Sequence, residues 1–333
     1  MRISAYLETG LEKVRPDERL LIKSYDRVSD HEITEHSTLL MEAGTFDGEF
    51  ECPLLMAVVD GCNEYEGACL ASEITASVLN QFSMSDFLEC DMVSQEQKAA
   101  EEEPASANGG GVIGVGGSLG ASGKVSASLK EINSSGLSLS DNVIVFKDKQ
   151  EQENLNDKKT PEELVANRKE IIREYLTNLN ETLILDGEQP WAKKGMASYL
   201  TGGIFLENET YLYHIGGLKF LRKKGLSQYW ESVTTEQVDF SKNNIEDRVI
   251  GCLGSDKDRS EHIMVEQIGD LINKDKPAVL LSEGVYRFIE PAKLREFFER
   301  KEPALTICRS MAEYARANGS IDDISIVLLN FQG

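Results

Sequence analysis

The sequence predicts an α+β fold, because segments typical of strands and segments typical of helices are set apart along the chain. Short apolar runs with β-branched residues, each long enough for one buried strand, occupy residues 54–59, 278–282 and 324–330. Three more runs follow one another within residues 197–222, separated by Asn208 and by a glycine pair. That spacing predicts a meander of three consecutive strands and therefore an antiparallel sheet.

The other elements also have local signals. Residues 1–23 alternate between apolar and polar side chains on both sides of Gly10, which predicts two strands joined by a turn. Residues 67–82 carry an apolar side chain about every fourth position, so they predict an amphipathic helix. A helix over residues 161–180 is expected because Thr160-Pro161-Glu162-Glu163 has the composition of a helix N-terminus. Two more helices are predicted over residues 291–299 and 303–317.

The composition limits the classes of partner and compartment. The 333 residues include 57 Asp and Glu against 35 Lys and Arg, a formal net charge of −22, which disfavours nucleic acid and anionic membranes as partners. No apolar run approaches the roughly 20 residues that span a bilayer, and residues 1–21 lack the apolar core of a signal peptide. We therefore expect a cytoplasmic protein. The six cysteines form no C-x-x-C pair and the four histidines are scattered, so buried reduced thiols are expected rather than zinc ligands.

One long segment differs in composition from the rest. Residues 92–160 run from an acidic, Gln-rich stretch through GGGVIGVGGSLG into Ser-rich and Lys/Asp/Gln-rich sequence, with one candidate strand at residues 142–147. The glycine run lacks the G-K-[ST] ending of a phosphate-binding loop. We interpret residues 92–160 as a largely flexible insertion within one domain.

Acidic residues recur where predicted strands begin or end. They are Asp60 and Glu283, each followed by a glycine, Asp322-Asp323 before the last strand, and Asp17-Glu18 before residues 19–22. Hard cations such as Mg²⁺ and Mn²⁺ prefer carboxylate and carbonyl oxygens, and a glycine after the carboxylate lets the backbone approach closely. Taken singly, an acidic residue at a strand end usually begins a turn.

The order of these motifs resembles that of the PPM family, the metal-dependent type 2C protein serine/threonine phosphatases. The family's strand, Asp-Gly metal corner and first long helix are similar to LLMAVVDGCNEYEGACLASEITASVLNQF. Its central strands resemble GMASYLTGGIFLENETYLYHIGGLKFLRKKGLSQ, and its segment before the flap resembles VIGCLG. Its Ser-Asp-Gly strand and its C-terminal Asp-Asn corner resemble AVLLSEGVYRFI and ALTICRSMAEYARANGSIDDISIVLL. The resemblance covers most of residues 1–91 and 161–333. The insertion at residues 92–160 has no recognised counterpart in the family.

The resemblance implies a single domain over residues 1–333, built as a four-layer α-β-β-α sandwich with two antiparallel sheets. It also implies two Mn²⁺ or Mg²⁺ ions at one edge, where an activated water attacks the phosphorus of a phosphoserine or phosphothreonine in a protein substrate. By position, Asp60 would bridge the two ions and the Gly61 carbonyl would bind one of them. Glu283 and Asp322 would complete the shell of the other ion.

Several positions depart from the family pattern while keeping charge. The family's phosphate-binding Arg, followed by Glu-Asp, corresponds to Lys13 with Asp17 and Glu18, the acids in reversed order. Lys binds phosphate without the bidentate fork of Arg, and Arg15 is an alternative if the loop is shifted. Glu283 replaces an Asp, and Asp322-Asp323 replaces Asp-Asn. These replacements indicate a retuned metal site rather than a lost one.

Other replacements remove family side chains. The family's Gly-Asp-Ser-Arg corresponds to Gly216-Gly217-Leu218-Lys219, and its glycine-rich stretch to CNEYEG. Two functional classes therefore stay open: a phosphatase that opposes a serine/threonine kinase, and a pseudophosphatase that binds a partner. His214 could serve as a general acid, but its position within an apolar strand favours a structural role.

Overall fold

The computed structural model describes most of the chain outside the predicted insertion. The described residues are 1–11, 13, 15–29, 32–63, 65–88, 160–190, 192, 195–224, 229–235, 237–239, 248–255, 261–269 and 276–331. Residues 1–92 and 158–333 belong to one compact unit. The predicted insertion, including its candidate strand, lies outside the described residues except for Thr160. No helix among the described residues is long and apolar enough to cross a membrane.

Fourteen strands are found in the described part of the chain. In chain order they are β1 (Arg2–Glu8), β2 (Glu18–Ser29), β3 (Glu32–Met41), β4 (Gly44–Glu49), β5 (Leu54–Gly61), β6 (Ser198–Phe205), β7 (Thr210–Ile215), β8 (Lys219–Lys223), β9 (Trp230–Ser232), β10 (Val238–Asp239), β11 (Arg248–Val249), β12 (Met264–Gln267), β13 (Ala278–Leu281) and β14 (Ile324–Leu329). Twelve of them form two six-stranded antiparallel sheets. The first sheet has the order β4-β1-β14-β13-β8-β9, and the second has the order β12-β7-β6-β5-β2-β3.

The helices cover the outer faces of the two sheets. They are α1 (Ala68–Leu79), α2 (Pro161–Gly187), α3 (Glu283–Tyr286), α4 (Pro291–Phe298) and α5 (Ala304–Ala317). One apolar core lies between α1, α2 and the second sheet, and another lies between α3, α4, α5 and the first sheet. A third core joins residues of both sheets. The predicted four-layer α-β-β-α sandwich with two antiparallel sheets is therefore confirmed.

Strand β5 illustrates why the central strands are continuous apolar runs. Successive side chains of a strand point to opposite faces. Ala57 and Val59 pack in the core beneath α1 and α2, whereas Met56 and Val58 pack in the core between the sheets. Because both faces are covered, the strand carries no polar side chain before Asp60.

Helix boundaries follow the predicted signals. The Thr160 hydroxyl accepts from the backbone N–H of Glu163, and the Glu163 carboxylate accepts from the N–H of Thr160, which forms a capping box at the start of α2. That helix extends to Gly187, beyond the predicted end at residue 180. Helix α5 ends at Asn318 and Gly319, where Gly319 has a φ of +97°.

The predicted meander within residues 197–222 is wrong in one respect. Strands β6 and β7 are paired as expected, but β8 lies in the other sheet between β13 and β9. The chain crosses between the sheets at Gly216, whose φ is +105° and whose Cα faces the Tyr199 ring. A Cβ there would lie 2.1 Å from that ring, so only glycine permits this crossing.

Six strands in the described part of the chain were not anticipated: β3, β4, β9, β10, β11 and β12. Strands β3 and β4 lie at the edges of their sheets, and their mostly exposed residues lack an apolar alternation. Asp60 and Gly61 are the last residues of β5 rather than the turn after it. Glu283 is the first residue of α3. Of the five cysteines in the described part of the chain, Cys62, Cys252 and Cys308 are buried, as expected, whereas Cys52 and Cys69 are half-buried.

Candidate functional site

Asp60 and Glu18 are the centre of the candidate site. They lie directly opposite each other on adjacent strands, Asp60 at the end of β5 and Glu18 at the start of β2. Both side chains are buried. Directly opposed residues on antiparallel strands have Cβ atoms about 5 Å apart, and two like charges at that separation destabilise the pair unless a cation or proton intervenes. The backbone therefore forces two carboxylates together at one sheet edge.

The two sheets meet at this edge through Glu18. Its Oε2 accepts a hydrogen bond from the Ser325 hydroxyl of β14, which belongs to the other sheet. Ser325 is in turn tied to Ser282 at the end of β13, because its N–H donates to the Ser282 hydroxyl at 2.9 Å. The Ser282 N–H donates to the Ser325 carbonyl at 3.0 Å. The site thus lies where β2 and β5 of one sheet approach β13 and β14 of the other.

Asp323 anchors the segment that carries Lys13 and Asp17. Its carboxylate accepts from the N–H of Gly10 and, at 2.8 Å, from the N–H of Asp17. The Asp17 carbonyl accepts from the N–H of Gly61 at 2.9 Å, which connects the same segment to the end of β5. Asp323 is only 1% exposed, so its role here is to hold backbone in place.

The Lys13 ammonium lies among the carboxylates. Its Nζ is 2.6 Å from Oδ1 of Asp322 and 2.7 Å from Oδ1 of Asp17. Asp323 Oδ2 is 3.6 Å away. Asn63 donates from Nδ2 to both oxygens of Asp322, at 3.2 and 3.3 Å. Both Asp322 oxygens therefore already have donors within the chain.

Burial and mutual repulsion set the protonation of the cluster. Burial, followed by the charges of Glu18, Asp17 and Asp322, raises the pKa of Asp60 well above its usual value. Burial and the charge of Asp323 likewise raise the pKa of Glu18, while hydrogen bonds from Ser325 and Ser282 oppose the shift.

The two residues that flank the carboxylate pair respond differently. Burial raises the pKa of Asp17 to about 7, and Lys13 opposes this shift. Burial lowers the pKa of Lys13, but Asp322 and Asp17 outweigh it and raise that pKa above its usual value. The site therefore holds more acidic side chains than its one ammonium can neutralise, and burial favours the protonated form of Asp60 and Glu18 when no further cation is bound.

Glu283 has different neighbours from the other predicted site residues. Its Oε2 lies 3.7 Å from the Arg287 guanidinium, and its Oε1 lies against the Cα of Gly217. It is nevertheless within electrostatic range of the same phenol as Asp60, since burial, Cys62, Glu283 and Asp60 all raise the pKa of Tyr199. The structure thus brings Lys13, Asp17, Glu18, Asp60 and Asp322 together and places Glu283 at their side.

Comparison with known proteins identifies the fold. No protein-family model matches the sequence, and no curated protein matches it. A serine/threonine phosphatase from S. agalactiae superposes over 98% of this chain and 98% of its own, with a TM-score of 0.54 and 9% identity. Stp1, a serine/threonine phosphatase from Staphylococcus aureus, superposes over 99% of this chain and 95% of its own, with a TM-score of 0.54 and 11% identity.

The chain has the fold of the bacterial serine/threonine phosphatases. A third structure with this phosphatase fold is the catalytic domain of the serine/threonine protein phosphatase PstP in complex with two manganese ions. It covers 98% of this chain and 98% of its own, with a TM-score of 0.50 and 13% identity. Identities this low establish the fold and leave the activity of this chain to its own residues.

The donor atoms of this phosphatase-fold site suit a hard divalent cation. In the part of the chain that the structure describes, no three His, Cys, Asp or Glu side chains are grouped as a ready metal site. The donors present are carboxylate oxygens, and Mg²⁺ and Mn²⁺ prefer such ligands. The raised pKa of buried Asp60 and Glu18 also indicates that a cation there would stabilise their charged forms. The residues therefore fit a divalent ion.

Glycine is required at the corner that carries the predicted carbonyl ligand. A Cβ on Gly61 would lie 2.5 Å from the Ala68 carbonyl oxygen and 2.8 Å from the Cβ of Asp17. The backbone of β5 therefore approaches both α1 and the Asp17 segment more closely than any other residue would permit.

Some site residues were missed by sequence reasoning, and some candidates lie elsewhere. Asp323, Ser282, Ser325 and Asn63 each hold a predicted site residue or its backbone. Asp323, Ser282 and Asn63 stand next to an acidic residue in the sequence, whereas Ser325 lies between two isoleucines. Arg15 is exposed.

The structural interpretation of His214 is confirmed. Its ring is buried between the Thr201 hydroxyl, 2.7 Å from Nδ1, and the Thr235 carbonyl, 3.0 Å from Nε2.

Proposed function

We propose that this protein hydrolyses phosphoserine and phosphothreonine in protein substrates, with Mn²⁺ or Mg²⁺ bound at the carboxylate cluster. The observation that carries the proposal is the buried pair of Glu18 and Asp60, held opposite each other where the two sheets of a phosphatase fold meet. A structural role alone gives no reason to keep two repelling carboxylates buried together. If metal binding had been lost, neutral residues would be favoured at both positions.

The proposed ligands are the residues assigned from the family pattern. Asp60 and the Gly61 carbonyl would hold one ion, and Asp60, Glu283 and Asp322 would hold another. Bound divalent ions supply charge neutralisation of the phosphoryl oxygens and a water of lowered pKa. No phosphorylated enzyme intermediate is needed.

The chain's own residues would position the substrate and the ligands. A phosphorylated protein approaching a chain with a net charge of −22 needs local positive charge, and Lys13 is the ammonium nearest to the cluster among the described ion pairs. Glu18, fixed by Ser325, keeps the end of β2 against β14. Asp17 holds the Lys13 ammonium and, through its carbonyl, the N–H of Gly61. The kinase that phosphorylates the substrate would be its functional counterpart.

Turnover of a phosphothreonine peptide with Mn²⁺, with Mg²⁺ and with EDTA tests the proposal. We expect Mn²⁺-dependent release of phosphate from the wild type and none from Asp60→Asn, because a neutral amide is a poorer bridge between cations. Asp47→Asn is the matched control, since Asp47 lies on β4 in an exposed ion pair with Arg2 outside the cluster. Equal turnover in Asp60→Asn and Asp47→Asn contradicts the proposal.

A second function is favoured by one observation. The Lys13 ammonium already engages Asp322 and Asp17, and a partner-binding module without turnover would be stabilised by that arrangement. That alternative predicts no turnover in the wild type or in Glu283→Asp, and unchanged metal affinity in Asp60→Asn.

A further inference from the structure

We infer that Lys13 takes the place of one of the two divalent ions, so that this chain binds a single ion beside an internal ammonium. The inference rests on the proposed function for the presence of a metal at this site, and it replaces the two ions of the family pattern by one. It concerns the number of divalent ions that bind and the residue that stands in place of the second ion.

The contacts of Lys13 are those of a cation held by carboxylates. An ammonium group has three donors, and two of them point to Oδ1 of Asp322 at 2.6 Å and Oδ1 of Asp17 at 2.7 Å. The next acceptor is Oδ2 of Asp323 at 3.6 Å. Lys13 is 21% exposed, so most of its side chain is enclosed with these partners rather than extended towards solvent.

Both oxygens of Asp322 already have donors in this arrangement. Lys13 contacts Oδ1, while Asn63 donates to Oδ1 and Oδ2 at 3.3 and 3.2 Å. A divalent ion bound to Oδ1 at about 2.1 Å would lie within about 5 Å of the ammonium, where like charges repel strongly. An ion held by Asp322 and the Lys13 ammonium therefore exclude each other.

Among the described residues, no lysine or arginine forms an ion pair with the other half of the cluster. Glu18 is held by the hydroxyl of Ser325, which is neutral. Asp60 faces Glu18 across the strands, and Lys13 makes its close ion pairs with Asp17, Asp322 and Asp323 instead. Among the described ion pairs, no cation contacts Asp60 or Glu18 directly. One divalent ion between them would offset the two charges of the ionised pair.

The number of bound ions is measured directly by equilibrium dialysis against Mn²⁺ with metal analysis, and by native mass spectrometry. We expect one Mn²⁺ per chain in the wild type. In Lys13→Met, which keeps an unbranched side chain one atom shorter and removes its charge, we expect two. Lys23→Met is the matched control, because Lys23 is a buried lysine that pairs with Glu35 at 2.8 Å and donates to the Asn80 carbonyl, away from the cluster. We expect one ion in this control.

Thermal unfolding of the same variants provides a second readout. Removing the ammonium leaves Asp17 and Asp322 uncompensated, so metal-free Lys13→Met should have a lower Tm than the wild type. Saturating Mn²⁺ should raise its Tm by more than it raises that of the wild type, because two ions bind the native state instead of one. If Lys13→Met does not fold, Lys13→Gln is used, and the wild-type count alone still decides the first half of the inference.

The outcomes separate this inference from the proposed function. Two ions in the wild type, or none up to millimolar Mn²⁺, overturn it. One ion in both the wild type and a folded Lys13 variant overturns the role of Lys13. One ion in the wild type and two in Lys13→Met, without phosphate release from either, would leave the inference standing and remove the phosphatase. Two ions in the wild type together with phosphate release would overturn the inference and support the phosphatase.

Discussion

A Cβ atom on Gly217 would lie 1.8 Å from Oε1 of Glu283. The Glu283 carboxylate therefore occupies the space that a side chain at position 217 would fill. The family pattern has an Asp at each of these positions, whereas this chain has a longer acid at one and no side chain at the other. The two departures therefore belong together: the longer side chain of Glu283 fills the space that the missing side chain of Gly217 leaves open.

This relationship predicts a coupled effect of substitution. Gly217→Ala should destabilise the protein by about 1–3 kcal/mol, since the new methyl group forces the Glu283 side chain from its position. In a Glu283→Ala background the same change should cost clearly less, because the obstructing carboxylate is gone. Urea denaturation of the wild type, both single variants and the double variant measures the coupling. Equal costs of Gly217→Ala in both backgrounds would contradict the contact.

The length of Glu283 should also affect the proposed reaction. Glu283→Asp withdraws the carboxylate by on the order of 1 Å, a displacement to which positional catalysis is sensitive. We expect phosphate release to be kept or increased, since the shorter acid restores the family's residue. Steady-state turnover with Mn²⁺ measures this. A drop in turnover as large as that of Glu283→Ala would mean that the extra methylene is required here.

Arg316 joins the two chain segments that carry the cluster. Its guanidinium donates to the backbone carbonyls of Asp322 at 2.6 Å and Thr9 at 3.2 Å, and it pairs with Glu8 at 2.9 Å. Arg316→Ala should lower the free energy of unfolding by about 2–4 kcal/mol, because several charge-assisted bonds are lost together. Arg309→Ala on the same helix is the control, and Arg309 is exposed. Equal effects on the urea midpoint would show that the contacts of Arg316 are not stabilising.

His214 should make stability depend on pH. Burial lowers the pKa of His214 from its usual 6.5 to about 4. Between these values the unfolded chain binds more protons than the folded chain, so stability falls as pH decreases from 6.5 to 4 and is fully present above 6.5. The full effect is about 3 kcal/mol.

Urea denaturation at several pH values checks the effect of His214. His214→Gln should flatten the dependence over that window, while the exposed His36→Gln should leave it unchanged. An unaltered slope in His214→Gln would assign the dependence to other groups.

The segment of unusual composition can be tested by deletion. Its low apolar content and many glycines offer little to offset ordering entropy, so residues 92–160 should be cleaved by protease before the rest. A chain lacking residues 95–158 should still unfold in one cooperative transition with a similar Tm. Aggregation of that deletion variant, or loss of its transition, would place the segment within the core.

The elements that the sequence predicted well are those whose burial imposes a pattern. Strands β5, β13 and β14 are apolar on both faces because helices and a second sheet cover them, and apolar spacing alone was sufficient to find them. Strand β3 was not predicted because it is an edge strand with exposed, mostly polar residues. Strand β8 was found, but periodicity carries no information about which sheet a strand joins.

The carboxylates of the site were predictable and their partners were not. Asp60, Glu18 and Asp322 stand at strand ends, where a local pattern marks them. The ion pair of Lys13 with Asp322 joins residues from opposite ends of the chain, and only the register of the sheets brings them into contact. The anchoring role of Asp323 depends on the backbone N–H groups of Gly10 and Asp17. Almost every residue type has such a group, so the sequence does not mark these two donors.

The pairing of β1 with β14 has a consequence for the timing of assembly. Lys13 and Asp17 are made well before Asp322, Asp323 and Ser325 during translation. Until β14 emerges, the buried acids of β2 and β5 have neither the hydroxyl of Ser325 nor the neighbouring strand that carries it. A nascent or truncated chain that ends before residue 324 therefore cannot build the cluster, and any activity located there would first appear after β14 has been made.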